Sequence, residues 1–155
     1  KLKKRYQEIL PYCTILFGSI RDLIELLEWS SVDSALDEPI RYIQSFLAHY
    51  GIEWFAGTKR ITQDGKKQLK GYLITLNETV ETAFYDLFIL DRIGAGDAFA
   101  AGILLGYGEK WSLEKTVEFA LGNARLAHAI QGDVPLTTRK QVLQLLDAPD
   151  IDLIR

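Results

Sequence analysis

Hydrophobic positions along the chain follow two periods. The apolar run CTILFG at 13–18 predicts a short strand, and Ile20, Leu23, Ile24 and Leu27 then recur at helical spacing. A second helical stripe consists of Ile40, Ile43, Phe46, Leu47 and Tyr50, with Asp37 as the expected N-cap, Pro39 in the first turn and Gly51 as the stop. IEWFAG at 52–57 reads as a strand again. Between Arg60 and Tyr85 the pattern becomes antiparallel, because Asp64-Gly65 is a turn signal and LKGYLITL and TVETAFY are strand-like runs divided by Asn77 and Glu78.

The remainder is helical. Ala98 to Leu105 is apolar on every side, which predicts a buried helix. Ser112 caps a helix running toward Ile130, and TTRKQVLQLL forms a final amphipathic one. Strand, helix, helix, strand, hairpin and a packed helical layer make an α/β arrangement with helices covering a sheet. With no internal repeat, low-complexity tract or linker, a single unit is expected.

Composition narrows the function classes. A hydrophobic share of 48% with 25% charged residues describes a chain that buries a core. The net charge of −3 gives no basic face for displacing counterions, so nucleic acid is disfavoured. The longest apolar run is about half the roughly 20 residues a bilayer requires, so no membrane association is expected. Cys13, the one cysteine, has no partner within the chain and reads as a buried strand thiol in a reducing cytoplasm. The chain contains no methionine and starts KLKKRYQEIL, which suggests a piece of a longer protein.

Chemistry concentrates in LDRIGAGDAFAAGILLG at 90–106. A helix start leaves N–H groups unpaired and carries partial positive charge, and Gly94 and Gly96 let an anion approach the backbone. Two readings of GAG stay open on the residues alone: an anion cradle, or a tight strand-to-helix turn without ligand. Neither familiar phosphate loop applies, since Phe99 occupies the third glycine position of a dinucleotide fingerprint and no glycine-lysine-serine/threonine triplet occurs. Asp97 is either an ordinary first-turn carboxylate or a base placed beside an oxyanion hole.

DRIGAGDAFAAGILLGY resembles the D-T-x-G-A-G-D signature and following small-residue helix of the ribokinase-like, or PfkB, carbohydrate kinases. The resemblance implies that Asp97 is the catalytic base and that the amides of Gly94, Ala95 and Gly96 form the anion hole. Arg92 stands where the family's threonine would be. LGNARLAHAIQGDVP is similar to the family's next helix and nucleotide loop, implying Asn123 at the adenine pocket and Gly132 in the closing loop. WFAGTKR resembles the strand and loop passing the phosphates and ribose, implying Gly57, Thr58 and Lys59 as contacts. LFGSIRDL resembles the G-N-x-x-E segment, with Ser19 and Asp22 replacing its asparagine and glutamate. With the downstream H-x-I-x-G-D, the motif is most similar to 2-keto-3-deoxygluconate kinases.

The resemblance implies a ribokinase-like three-layer sandwich, of which residues 1–155 are the carboxyl-terminal nucleotide-binding and catalytic part, with helices on a mostly parallel sheet and an antiparallel hairpin. The amino-terminal half, with most of the sheet and the sugar contacts, is absent. The implied activity is γ-phosphoryl transfer from ATP to a sugar hydroxyl, with Mg2+ arriving on the nucleotide and a monovalent cation as a further expectation. Alternatives are a kinase for ribose, fructose or a nucleoside, or a catalytically silent nucleotide-binding module. Apolar surface left bare by the missing half would favour a homo-oligomer. His128 reads as a structural helix histidine, Trp29, Trp54 and Trp111 as packing, KLKK and GKK as solvated, and no metal cluster is expected.

Overall fold

A computed structural model describes residues 2–25, 27–29, 37–132 and 137–147. Its elements are α1 (Leu2–Ile9), a 3-10 turn (Leu10–Tyr12), β1 (Ile15–Phe17), α2 (Ile20–Glu25), α3 (Pro39–Tyr50), β2 (Trp54–Gln63), β3 (Lys66–Ile74), β4 (Thr79–Glu81), β5 (Tyr85–Asp86), α4 (Ala95–Gly108), α5 (Leu113–His128) and α6 (Arg139–Asp147). The α/β class holds, with a mixed sheet in the order β1-β2-β3-β4 and β5 also on β3. β1 pairs parallel with β2, placing Leu16 opposite Phe55, and β5 pairs antiparallel with β3, placing Leu69 opposite Tyr85. No helix among the described residues is long and apolar enough to cross a membrane.

The chain forms two compact units, one of residues 1–58 and 72–80, the other of 59–71 and 81–155. In the first, the stripe of α3 buries Tyr42, Ile43, Phe46 and Leu47 against Leu23, Ile52, Phe55 and Ile74. Full burial of such side chains contributes about 1.5–3 kcal/mol each. Gly51 closes α3 at φ 71, a left-handed position that favours glycine. The expected cap does not form: Glu38, not Asp37, is at the N-cap, with no side-chain hydrogen bond, and Pro39 starts the helix. Pro39 has no N–H and φ already near helical, so the first turn forms without a side-chain cap.

Cys13 precedes β1 rather than lying inside it, and is half-buried with Sγ 3.6 Å from the Ile9 carbonyl oxygen. Of the KLKK stretch read as solvated, Lys4 is exposed on α1. In the second unit, β2 and β3 turn at Asp64 and Gly65, both at positive φ. TVETAFY breaks into two strands because Thr82 turns its hydroxyl onto the Gly71 N–H and the Ala83 carbonyl.

α4 packs on α5 through glycine. A Cβ at Gly102 would lie 2.5 Å from the Ala120 Cα, so only hydrogen fits at this crossing. The expectation that this helix is buried on every side is corrected: Asp97, Ala101 and Leu104 form an exposed stripe at helical spacing. Phe88, Leu90, Ile93 and Leu104 are half or more exposed, giving this unit an apolar surface.

Candidate active site at the start of α4

Gly94 is the N-cap of α4 and takes φ 80, a left-handed turn that aims the chain into the helix. The first backbone bond of the helix runs from the Ala98 N–H to the Gly94 carbonyl at 2.8 Å. Among the described residues the N–H groups of Gly94, Ala95, Gly96 and Asp97 are thus the unpaired donors at the start of the helix. The Gly94 to Gly96 set implied by the motif lies among these open donors. Ala95 is buried, whereas a Cβ at Gly96 would meet nothing within 4 Å, so space opens over the amides. Asp97 is exposed, and its carboxylate has no hydrogen-bond or ion-pair partner among the described residues. A free acceptor and a set of free donors are adjacent on one turn.

The turn is braced from two sides. Asp91 accepts hydrogen bonds from the N–H groups of Arg92 at 2.6 Å, Ile93 at 3.1 Å and Gly132 at 3.1 Å. The bonds from Ile93, Gly132 and Arg92 hold its carboxyl below the usual carboxylate range. Gly132, at φ 102, is thereby brought to the motif loop. From beneath, the His128 carbonyl accepts the N–H of Leu90 at 2.8 Å and of Asp91 at 3.2 Å.

His128 itself is fully buried, with Nδ1 2.8 Å from the Ala124 carbonyl oxygen and Nε2 2.9 Å from Arg60 Nη2. Burial, and then the charges of Arg60 and Arg92, push its pKa down against the opposing pull of the Ala124 carbonyl. Neither His128 nor Arg60 was singled out as functional in the sequence, and the 68 residues between them leave no local signal for the contact. Asp91 lies inside the motif but reads there only as its first letter.

Asn123 joins α5 to α4, its Nδ2 donating to the Ala98 carbonyl at 2.8 Å and its Oδ1 accepting from Thr137 Oγ1 at 3.1 Å. One N–H and one lone pair remain for a ligand. Lys59 is exposed on β2. In the other unit, Thr58 is exposed and Gly57 is buried, where a Cβ would run into the Gly18 carbonyl and the Tyr72 ring. The expected loop at WFAGTKR is continuous strand. Ser19 and Asp22, also in that unit, spend their polar groups on each other: Asp22 Oδ2 accepts from Ser19 N at 2.6 Å and Ser19 Oγ at 2.8 Å, capping α2.

Among the described residues no group of three or more His, Cys, Asp or Glu side chains could hold a metal.

Comparison with known proteins places this geometry in a family. No curated protein matches the chain. Among solved structures, a putative 2-keto-3-deoxygluconate kinase from Enterococcus faecalis is 53% identical with a TM-score of 0.91, over 99% of this chain and 46% of that one. A PfkB family carbohydrate kinase from Listeria grayi is 32% identical, TM-score 0.82, over 94% of this chain and 44% of that one. A putative ribokinase II from E. coli, in complex with ATP and Mg2+, shares the fold at 19% identity and TM-score 0.74, over 94% and 42%. The chain therefore spans less than half the length of each of these proteins. The model of the pfkB family carbohydrate kinases matches residues 1–135, and the chain belongs to that family.

Proposed function

We propose that residues 1–155 are the nucleotide-binding and catalytic part of an ATP-dependent kinase that phosphorylates a hydroxyl of 2-keto-3-deoxygluconate. The observation that carries this reading is the exposed, unpartnered Asp97 carboxylate beside the open amides of Gly94, Ala95 and Gly96. The likeness to the Enterococcus faecalis protein supports the substrate.

Asp97 accepts the proton of the attacking sugar hydroxyl as its oxygen bonds to the γ-phosphorus and the bond to the ADP oxygen breaks. The first-turn amides hold the negative charge on the phosphoryl oxygens, and they need no reorganisation because the helix already fixes them. Mg2+, brought by the nucleotide, would supply positive charge to the phosphate oxygens. Lys59, Asn123 and Gly132 contact the nucleotide, the last closing over it; for Gly57 and Thr58 the support is the family resemblance of WFAGTKR. A monovalent cation would add positive charge near the phosphates, and the apolar surface around Ile93 and Leu104 is covered by the remainder of the protein or by a second copy.

A phosphorylation assay across 2-keto-3-deoxygluconate, ribose, fructose and a nucleoside tests the reading, in K+ and in choline buffer. Preferential transfer to 2-keto-3-deoxygluconate supports it. Preference for another sugar reassigns the substrate, and nucleotide binding without transfer to any of them makes the protein a silent module.

A further inference from the structure

β2 carries two adjacent basic residues, Lys59 and Arg60, both exposed. Successive side chains of a strand point to opposite faces, so only one of them can turn toward α5. Arg60 does, with Nη2 2.9 Å from His128 Nε2. The Ala124 carbonyl oxygen near Nδ1 can only accept, so Nδ1 carries the proton and Nε2 is left bare to receive the arginine N–H. Burial and two nearby guanidinium groups keep the ring in that neutral form.

An arginine held by a neutral ring has no opposing charge in that contact. Arg60 makes no ion pair with a carboxylate among the described residues, and four of its five N–H donors stay open after the bond to His128. The same histidine anchors Leu90 and Asp91 through its carbonyl, and Asp91 anchors Gly132. One residue at the end of α5 thus ties the guanidinium to the turn that leads into Asp97 and to the loop at Gly132. A planar cation tied through His128 to the loop that carries the open amides is suited to a phosphate, which it can meet with paired N–H bonds.

We infer that Arg60, set in place by His128, is the basic side chain of β2 that binds the phosphates of the nucleotide, ahead of its neighbour Lys59. His128 is then a positioning residue. The role rests on the kinase reading above.

Calorimetric binding of Mg-ADP and steady-state kinetics of the full-length kinase test it. Arg60→Gln raises the Kd for ADP and the KM for ATP by about 10-fold or more, as expected for loss of charged hydrogen bonds, and leaves the KM for sugar unchanged. Lys59→Gln loses less, and Lys67→Gln, which removes an exposed charge elsewhere, behaves as wild type. His128→Leu raises the KM for ATP in the same direction, and His128→Gln, which keeps a donor and an acceptor, restores it in part. A purely structural histidine would lower the unfolding temperature without moving that KM. Unchanged ADP affinity in Arg60→Gln, or a larger loss in Lys59→Gln, overturns the role of Arg60 alone. Wild-type protein that binds neither ADP nor ATP overturns the kinase reading and this role with it.

Discussion

Replacing Gly102 with alanine probes the contact that holds α4 in place. The new Cβ would fall 2.5 Å from the Ala120 Cα and 2.9 Å from its Cβ. Carbon atoms rest at about 3.5–4.0 Å, so α4 and α5 must part by about 1 Å. Overpacking of this kind costs about 1–3 kcal/mol, against which alanine's helix preference returns up to about 1 kcal/mol. The expected net loss is about 1 kcal/mol, or about 2–4 °C in Tm for a protein of 150–250 residues. Gly108→Ala in the same helix is the control, since a Cβ there meets nothing within 4 Å and only the propensity gain remains. Gly102 lies about 7–8 Å along the helix axis from Asp97, so displacing α4 also weakens nucleotide binding. Thermal and urea unfolding of the two variants side by side give the answer. If Gly102→Ala is as stable as Gly108→Ala, the close approach of the two helices is not what the structure says it is.

Two further outcomes concern α5. The folded state keeps His128 neutral, so as pH falls below its ordinary value of 6.5 the unfolded chain takes up the extra proton first. Stability is fully present above that pH and declines below it; His128→Gln should flatten this part of the pH–stability curve, and an unchanged slope would refute the assignment. Ser112 caps α5, its Oγ accepting from Lys115 N at 3.3 Å. Ser112→Ala should lower stability by about 0.5–1 kcal/mol in urea unfolding, and no change would show the cap to be idle.

The sequence revealed those elements whose signals are local. The stripe and stop of α3, the Asp64-Gly65 turn, the Ser112 cap and the glycine turn before Asp97 all depend on residues within a few positions of one another. Tertiary context decided the rest. β2 runs through Gly57 to Arg60 because strand pairing overrides the loop suggested by glycine, and the exposed stripe of α4 is invisible to a hydropathy pattern that is apolar all round. The glycine turn of the candidate site was legible as a motif, yet its bracing was not. Asp91 to Gly132 and Arg60 to His128 join residues 41 and 68 positions apart, and no spacing rule reaches that far.

The central claim is that Asp97 accepts the proton of the attacking hydroxyl. Asparagine at this position has nearly the same shape and cannot take up that proton. Turnover of Asp97→Asn in the full-length kinase, measured together with calorimetric binding of Mg-ADP, tests the claim most directly. The expected result is near-normal ADP affinity with kcat reduced by about 10²–10⁴-fold; turnover close to wild type would contradict it.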